Sequence, residues 1–326
     1  MKAVRLHQYG SPDNLRIEEV EKPAPVDKQV LIRVHAASIN ASDYRAMRAD
    51  PFIIRFIGGL RRPKDPLFGT DVAGVVEAVG ENVTQFRPGD AVFGCANGSF
   101  AEYVLARESY VAPKPAELTF QQAAAIPTAG LTALQMIRVA RESHDSQEIR
   151  SEHKVAIQGA SGGVGTFAVQ LAKHTGAEVT AVCSPHYLDL ARALGADRVV
   201  DYKREDVTST PDCYDFIFGV NGYHPISHYR RALKPGGVYL CVGGGLRQMF
   251  EAMLLGSMFS KRGDKKLSFF GIAKVIQEDL TELAELAVAG KIPPVIDRTY
   301  PLAETIAAMH HVEKKHPQGK IVLTVT

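Results

Sequence analysis

Neither sign of charge prevails in this sequence: 38 Lys and Arg face 36 Asp and Glu over 326 residues, a net of +2. Binding to nucleic acid or to an anionic membrane needs basic residues gathered on one face, so this balance points to small-molecule partners. Cysteine is scarce as well. Cys95, Cys183, Cys213 and Cys241 lie far apart with no CxxC pair, which argues against a paired-cysteine framework and for free thiols in a reducing compartment. Long apolar runs are missing. The longest, 249–259, is interrupted by Glu251 and falls short of the roughly 18 to 20 residues that cross a bilayer. The opening residues Met1-Lys2-Ala3-Val4-Arg5 have no apolar signal core and read as a strand, so the expected location is cytoplasmic. Internal repeats are absent too.

What is present suits two domains, because 326 residues exceed one small core. Residues 1–120 alternate short apolar segments, such as Val30-Leu31-Ile32-Arg33-Val34, with Gly and Pro punctuation at Gly58-Gly59, Pro63, Pro66, Gly69, Pro88-Gly89 and Gly94. That pattern predicts short antiparallel strands in a barrel-like domain. From about 121 the rhythm changes to strand, helix, strand. Runs at 155–158, 178–182, 198–201, 215–220 and 238–242 alternate with helical stretches such as 188–194, the pattern of a doubly wound parallel sheet. Beyond 275, helices at 279–288 and 302–314 and a strand at 320–325 are expected to pack back onto the first domain. The charged run 141–154 reads as a solvated linker, which is preferred to a metal set of His144, Asp145 and His153.

Gly159, Gly162, Gly163 and Gly165 follow the strand 155–158 and precede a helical pattern at 166–174. At a strand-to-helix junction, one glycine turns the chain, a second lets backbone N–H groups approach a pyrophosphate, and a third permits close helix packing. Four more strand-like runs make the loop Gly159, Ala160, Ser161, Gly162, Gly163, Val164, Gly165 a dinucleotide-binding candidate.

Eight motifs, the glycine loop among them, occur in order: SINASDYR (38–45), FGTDVAGVVEAVGENVTQFRPGDAVFG (68–94), SFAEY (99–103), AAIPTAGLTAL (124–134), GASGGVG (159–165), LGADRVVDYK (194–203), LKPGGVYLCVGG (233–244) and GKIVL (319–323). With them the whole chain resembles the medium-chain dehydrogenase/reductase superfamily, and within it the zinc-free quinone oxidoreductase branch. The resemblance implies an α/β fold with two parts. One is a GroES-like β-barrel catalytic domain (1–120 and 275–326); the other is a Rossmann doubly wound parallel-sheet nucleotide-binding domain (121–274).

Zinc members of this superfamily carry a Cys in the segment matching 37–43 and a His-Glu pair after the glycine matching Gly69. Here the first segment has no Cys and Gly69 is followed by Thr70-Asp71. Three Cys, His or carboxylate ligands around an open position are needed for catalytic zinc, so no metal is expected. Without one, reduction of a quinone or an α,β-unsaturated carbonyl is the accessible chemistry, since hydrogen bonds to the developing oxyanion suffice. The alternative is a nicotinamide-binding redox sensor or structural protein with little turnover.

Family positions map onto particular residues. Asn40 and Thr128 match polar groups lining the nicotinamide ribose and substrate cleft, with turn or cap chemistry as the competing role. Tyr44 is a proton-donor candidate displaced by one position, since Arg45 stands where several members have Tyr; packing against the cleft wall is its other reading. Gly243, Gly244 and Lys320 match cofactor positions, with tight-turn geometry as the competing reading of the two glycines. The stretch 50–62, apolar with a basic end, is expected to flank the substrate mouth or to pack under a loop. NADPH is the expected cofactor: after the strand 178–182 comes Cys183-Ser184-Pro185-His186 with no acid for a ribose, and Tyr202-Lys203 match a phosphate-contacting pair. Ser184 as a helix cap is the competing role. The β-rich segment 266–272 reads as the outer strand of the sheet, and the family commonly dimerises there, so a homodimer is expected.

Overall fold

The computed structural model describes residues 1–144, 147–254, 256, 264–315 and 317–325; Asp145 and the end of the run 249–259 lie outside them. The chain forms two compact units, one of Met1–Leu131 with Lys274–Thr326 and the other of Thr132–Ala273.

The first unit opens with the hairpin-like pair β1 (Lys2–Leu6) and β2 (Leu15–Glu19). β3 (Gln29–Ile39) follows; its run of Val, Leu, Ile and Ala suits a strand with neighbours on both sides. It pairs antiparallel with β4 (Asp71–Val79), which pairs with β5 (Ala91–Cys95). β6 (Tyr103–Arg107) also lies against β3, and β7 (Val111–Pro113) against β5. Gly74 allows the tight crossing of β3 and β4: a Cβ there would lie 2.1 Å from the Arg33 carbonyl oxygen. Val30, Ile32, Val34, Val72, Val92 and Phe100 form the floor of this unit's core.

The second unit is a six-stranded sheet, entirely parallel, built from β8 (Lys154–Gln158), β9 (Glu178–Cys183), β10 (Arg198–Asp201), β11 (Tyr214–Gly219), β12 (Leu233–Cys241) and β13 (Lys266–Phe269). Their order is β10-β9-β8-β11-β12-β13, so the connectivity reverses between β8 and β11, the place where ligands bind in such sheets. The outer strand expected at 266–272 ends at Phe269, because Gly271 takes a φ of 85° and leaves extended geometry. The run 141–154 is only partly solvated: Ile149 and His153 are buried, and the His153 ring meets Phe216 edge-on at 5.5 Å. An apolar partner at the start of β11 draws that histidine inward, which charge counting does not reveal.

The chain then returns to the first unit. Helices Gln277–Val288 and Thr305–Lys315 lead to β14 (Ile296–Pro301) and β15 (Lys320–Thr324), and β15 pairs antiparallel with β3. The first unit's sheet thereby reads β14-β15-β3-β4-β5-β7. None of the described helices is long and apolar enough to cross a membrane.

Candidate active site

In the first unit, five hydrogen bonds from N–H and O–H donors converge on one buried carboxylate. Asp71 begins β4 with no exposed surface. Its Oδ2 accepts from Ser38 Oγ (2.8 Å), Asn40 Nδ2 (3.0 Å) and Lys320 Nζ (3.2 Å). Its Oδ1 accepts from the Thr128 backbone N–H at 3.0 Å and from the Thr128 hydroxyl. Pairing explains the convergence: Ser38 lies opposite Asp71 across β3–β4, and β15 lies on the other side of β3. Lys320 also donates to Asn40 Oδ1. A fully buried carboxylate beside a Lys320 that is 2% exposed is tolerable only because each has its partners.

Asp43 sits next to this cluster. Its Oδ2 accepts from the Asn40 backbone N–H (2.7 Å) at the start of helix Ala41–Arg48, and its Oδ1 accepts from Thr70 Oγ1 (3.2 Å). Burial raises its carboxyl to about 7, the Asn40 N–H opposing and the Asp71 charge reinforcing the shift. Cys95 Sγ is 3.9 Å from Asp71 Oδ1, and burial together with that carboxylate pushes the thiol well above its ordinary value.

Asn40, Thr128 and Lys320 are thus brought together, while Tyr44 is not part of the group. The Tyr44 hydroxyl faces Glu313 Oε1 at 3.5 Å, and its ring packs on the core. Sequence reasoning passed over Asp71 as the hub and over Glu313 altogether. A partial signal for Asp71 was present: an acid at the start of a buried strand, in the segment where zinc members of the superfamily carry a His-Glu pair. Nothing in the sequence announces Glu313, which meets Tyr44 and Arg48 from 265 or more residues away.

In the second unit, the loop after β8 separates the roles of its glycines. Gly159 has a φ of 80°, and its N–H and that of Ala160 donate to Val182 O at 3.0 and 3.1 Å, locking the turn to β9. A Cβ on Gly165 would lie 2.0 Å from the Gly159 carbonyl oxygen, so this residue must be glycine for the helix to seat. Gly162 differs. No protein atom lies nearer than 3.6 Å to its absent Cβ, and it starts helix Gly163–His174 with no side-chain cap. Ser161, Gly162, Gly163 and Val164 are partly exposed, leaving first-turn N–H groups of a twelve-residue helix without intrahelical partners. This arrangement fits a phosphate.

The ends of β9 and β10 stand together, the Tyr202 N–H donating to Cys183 O at 3.4 Å. Ser184, Tyr202 and Lys203 therefore come from adjacent strand ends. Ser184 precedes a 3-10 turn at Pro185–Tyr187, yet its hydroxyl makes no capping bond. Lys203 and His186 are exposed. Asp201, the acid in this region, is occupied locally, accepting from the Lys203 N–H at 3.0 Å and lying 3.6 Å from Arg204. Gly243 and Gly244 follow β12 tightly: Cβ atoms there would lie 2.6 Å from Val220 O and 2.5 Å from Gly222 O. Beneath these loops, Tyr229 Oη donates to Gln158 Oε1 (2.6 Å) and accepts from Gln248 Nε2 (3.1 Å).

Residues 26–116 match the family described as alcohol dehydrogenase GroES-like domain, and residues 194–323 the family described as zinc-binding dehydrogenase. The chain belongs to the medium-chain dehydrogenase/reductase superfamily and is an oxidoreductase. Among its relatives is the mitochondrial NAD(P)H oxidoreductase RTN4IP1 of Bos taurus, 34% identical over 370 residues, covering 100% of this chain and 89% of that one. The chloroplastic quinone-oxidoreductase QR1 of Triphysaria versicolor is 33% identical, covering 99% and 98%. Among solved structures, the quinone oxidoreductase from Coxiella burnetii has a TM-score of 0.87 at 30% identity, covering 100% of this chain and 99% of that one.

Proposed function

We propose that this protein is an NADPH-dependent, metal-free reductase that delivers hydride to a quinone or an α,β-unsaturated carbonyl. The observation that carries the reading is the saturation of Asp71. Five hydrogen bonds, one from an ammonium, use the carboxylate that would otherwise be the natural ligand for a catalytic ion. The residues at this position therefore do not fit zinc, although one matching family is described by it.

The reduced nicotinamide, when bound, supplies the hydride. The chain's residues supply its place and the electrostatics. Gly159 to Gly165 would hold the pyrophosphate through the uncapped start of helix Gly163–His174. Ser184, Tyr202 and Lys203 would receive a 2′-phosphate, with His186, Gly243 and Gly244 at the rim of the same sheet end. Asn40 keeps one amide N–H beyond the bond to Asp71, and Lys320 keeps one ammonium N–H beyond its two bonds. Donors held in a buried network can stabilise a developing enolate or phenolate oxygen without reorganising. Thr128 fixes the orientation of Asp71, and through it both donors. Four free cysteines suit a reducing compartment, which in this reading is the cytoplasm.

NADPH oxidation with 1,2-naphthoquinone, 9,10-phenanthrenequinone and a short enone tests the proposal on protein dialysed against a chelator. Turnover with at least one acceptor that survives dialysis is expected. Absence of turnover with all three, despite tight NADPH binding, would replace the reductase with a nicotinamide-binding sensor. Activity lost on dialysis and restored by zinc would overturn the metal-free mechanism.

A further inference from the structure

Two groups of metal-ligating side chains lie in the second unit away from the glycine loop. His144, His153 and Asp215 form one. Its carboxylate is already engaged: Asp215 Oδ2 accepts from Lys154 N and Lys234 Nζ, both at 2.7 Å, so a cation is in place. Asp206, His224 and His228 form the other, their ligand atoms all within 4.8 Å of one another.

This second group has the marks of an organised site. Asp206 lies between β10 and β11, and its Oδ1 accepts from the Thr208 N–H (2.8 Å) and hydroxyl (2.7 Å), which fix the carboxylate. His224 lies between β11 and helix Ile226–Ala232, and His228 is in that helix. His224 Nε2 is 3.0 Å from Asp206 Oδ1, but the angle is not that of a hydrogen bond. That nitrogen and His228 Nδ1 are both buried without a hydrogen-bond partner. The two rings are 5.5 Å apart and nearly parallel, at 23°. Buried polar atoms are nearly always satisfied, so two unspent ring nitrogens beside one oriented carboxylate point to a missing ligand.

We propose that Asp206, His224 and His228 bind one first-row divalent transition-metal ion. Two imidazoles and one carboxylate suit Zn²⁺, Ni²⁺ or Cu²⁺ rather than Ca²⁺ or Mg²⁺, which prefer oxygen. Closing to metal–nitrogen distances of about 2.0 to 2.1 Å requires only small rotations of side chains already this near. Water completes the coordination. The ion clamps the β10–β11 connection to helix Ile226–Ala232, and it lies beside Tyr223, whose ring is 4.2 Å from His224 and 5.6 Å from Tyr202. None of the three residues has a role in the proposed hydride transfer.

The test is calorimetric titration of chelator-treated, tag-free protein with ZnCl₂ and NiCl₂, together with EPR of the Cu²⁺-loaded form. One ion per chain with low-micromolar or tighter affinity, a rise in Tm and nitrogen coupling in the spectrum are expected. His228→Ala preserves the His224–Asp206 contact yet should weaken binding by at least about tenfold, and His228→Asn serves if that variant is unstable. His153→Ala should bind as the unaltered chain does. Only weak, multiple sites, or equal affinity in His228→Ala and the unaltered chain, would overturn the proposal. Both readouts are independent of turnover, so its failure leaves the reductase reading standing.

Discussion

Thr128 and Tyr44 offer the clearest contrast between single residues. Thr128 spends its hydroxyl and its N–H on Asp71, so Thr128→Ala leaves a buried acceptor short by one partner and should lower kcat/KM by about 1 to 3 kcal/mol. Tyr44 faces Glu313 instead, and Tyr44→Phe should leave kcat/KM within about twofold; a loss like that of Thr128→Ala would restore Tyr44 as a proton donor. At the cofactor end, Ser184→Asp should turn the preference from NADPH to NADH. A carboxylate some 4 Å from a phosphate opposes it by ~4 kcal/mol per charge pair at an effective dielectric near 20. Unchanged KM values for both cofactors would remove Ser184 from the phosphate site. Asp43 governs a pH effect. Its folded value of about 7 stands above the ordinary 3.8, so between those limits the folded chain holds a proton that the unfolded chain has released. Stability therefore falls as pH rises through that window and levels off above it, with a slope of up to about 1.4 kcal/mol per pH unit. Asp43→Asn should flatten this portion of a denaturant-midpoint profile. Asn40, Thr128 and Lys320 could be read from sequence because motif positions name them. Asp71 could not be ranked above Asp43, because what distinguishes the two is the number of donors reaching each carboxylate from β3, β15 and a helix far along the chain.

Among the elements, those whose character is local were legible in advance. β8, β9 and β10 are short, bounded β-branched runs, and their expected limits differ from the observed ones by at most one residue. β12 begins at Leu233 rather than 238, because Lys234-Pro235-Gly236-Gly237 reads as a turn. Pairing with β11, through a register shift between Tyr214 and Phe216, draws that stretch into the strand. Tertiary context overrides local preference here. The helix after the glycine loop starts at Gly163 rather than 166 for a related reason: glycines lower helix propensity, but the packing of Gly165 on Gly159 decides the start. This gives the loop a two-part test. Gly165→Ala forces a Cβ against a backbone oxygen 2.0 Å away and should lower Tm sharply. Gly162→Ala meets nothing closer than 3.6 Å, so Tm should fall by no more than about 4 °C while NADPH binding weakens by about tenfold or more. Equal effects of the two variants on Tm would mean that Gly162 serves the fold, not the ligand.

For the whole molecule, the outer strand of the parallel sheet is the feature with a consequence for assembly. β13 pairs with β12 on one side, and no described strand covers the other. Ile272, just beyond it, is 95% exposed. A β-rich outer strand beside exposed apolar surface favours a second copy, and light scattering at micromolar concentration should give twice the chain mass. A monomer would sink this expectation, whereas a dimer dispersed by Phe269→Lys would locate it.

Lys320 reaches Asp71 from β15, whereas Asn40, Asp71 and Thr128 all precede residue 132. A ribosome therefore releases every other member of the cluster, Ser38 included, before the other unit is even begun, and Lys320 only after that unit is out. The unit of Thr132–Ala273 is continuous and can close as soon as it emerges. The unit begun first must wait, with the Ala36–Ile39 end of β3 lacking its β15 partner and a buried carboxylate lacking its cation. Birth order and completion order are reversed, and the chemistry is the last thing the growing chain acquires.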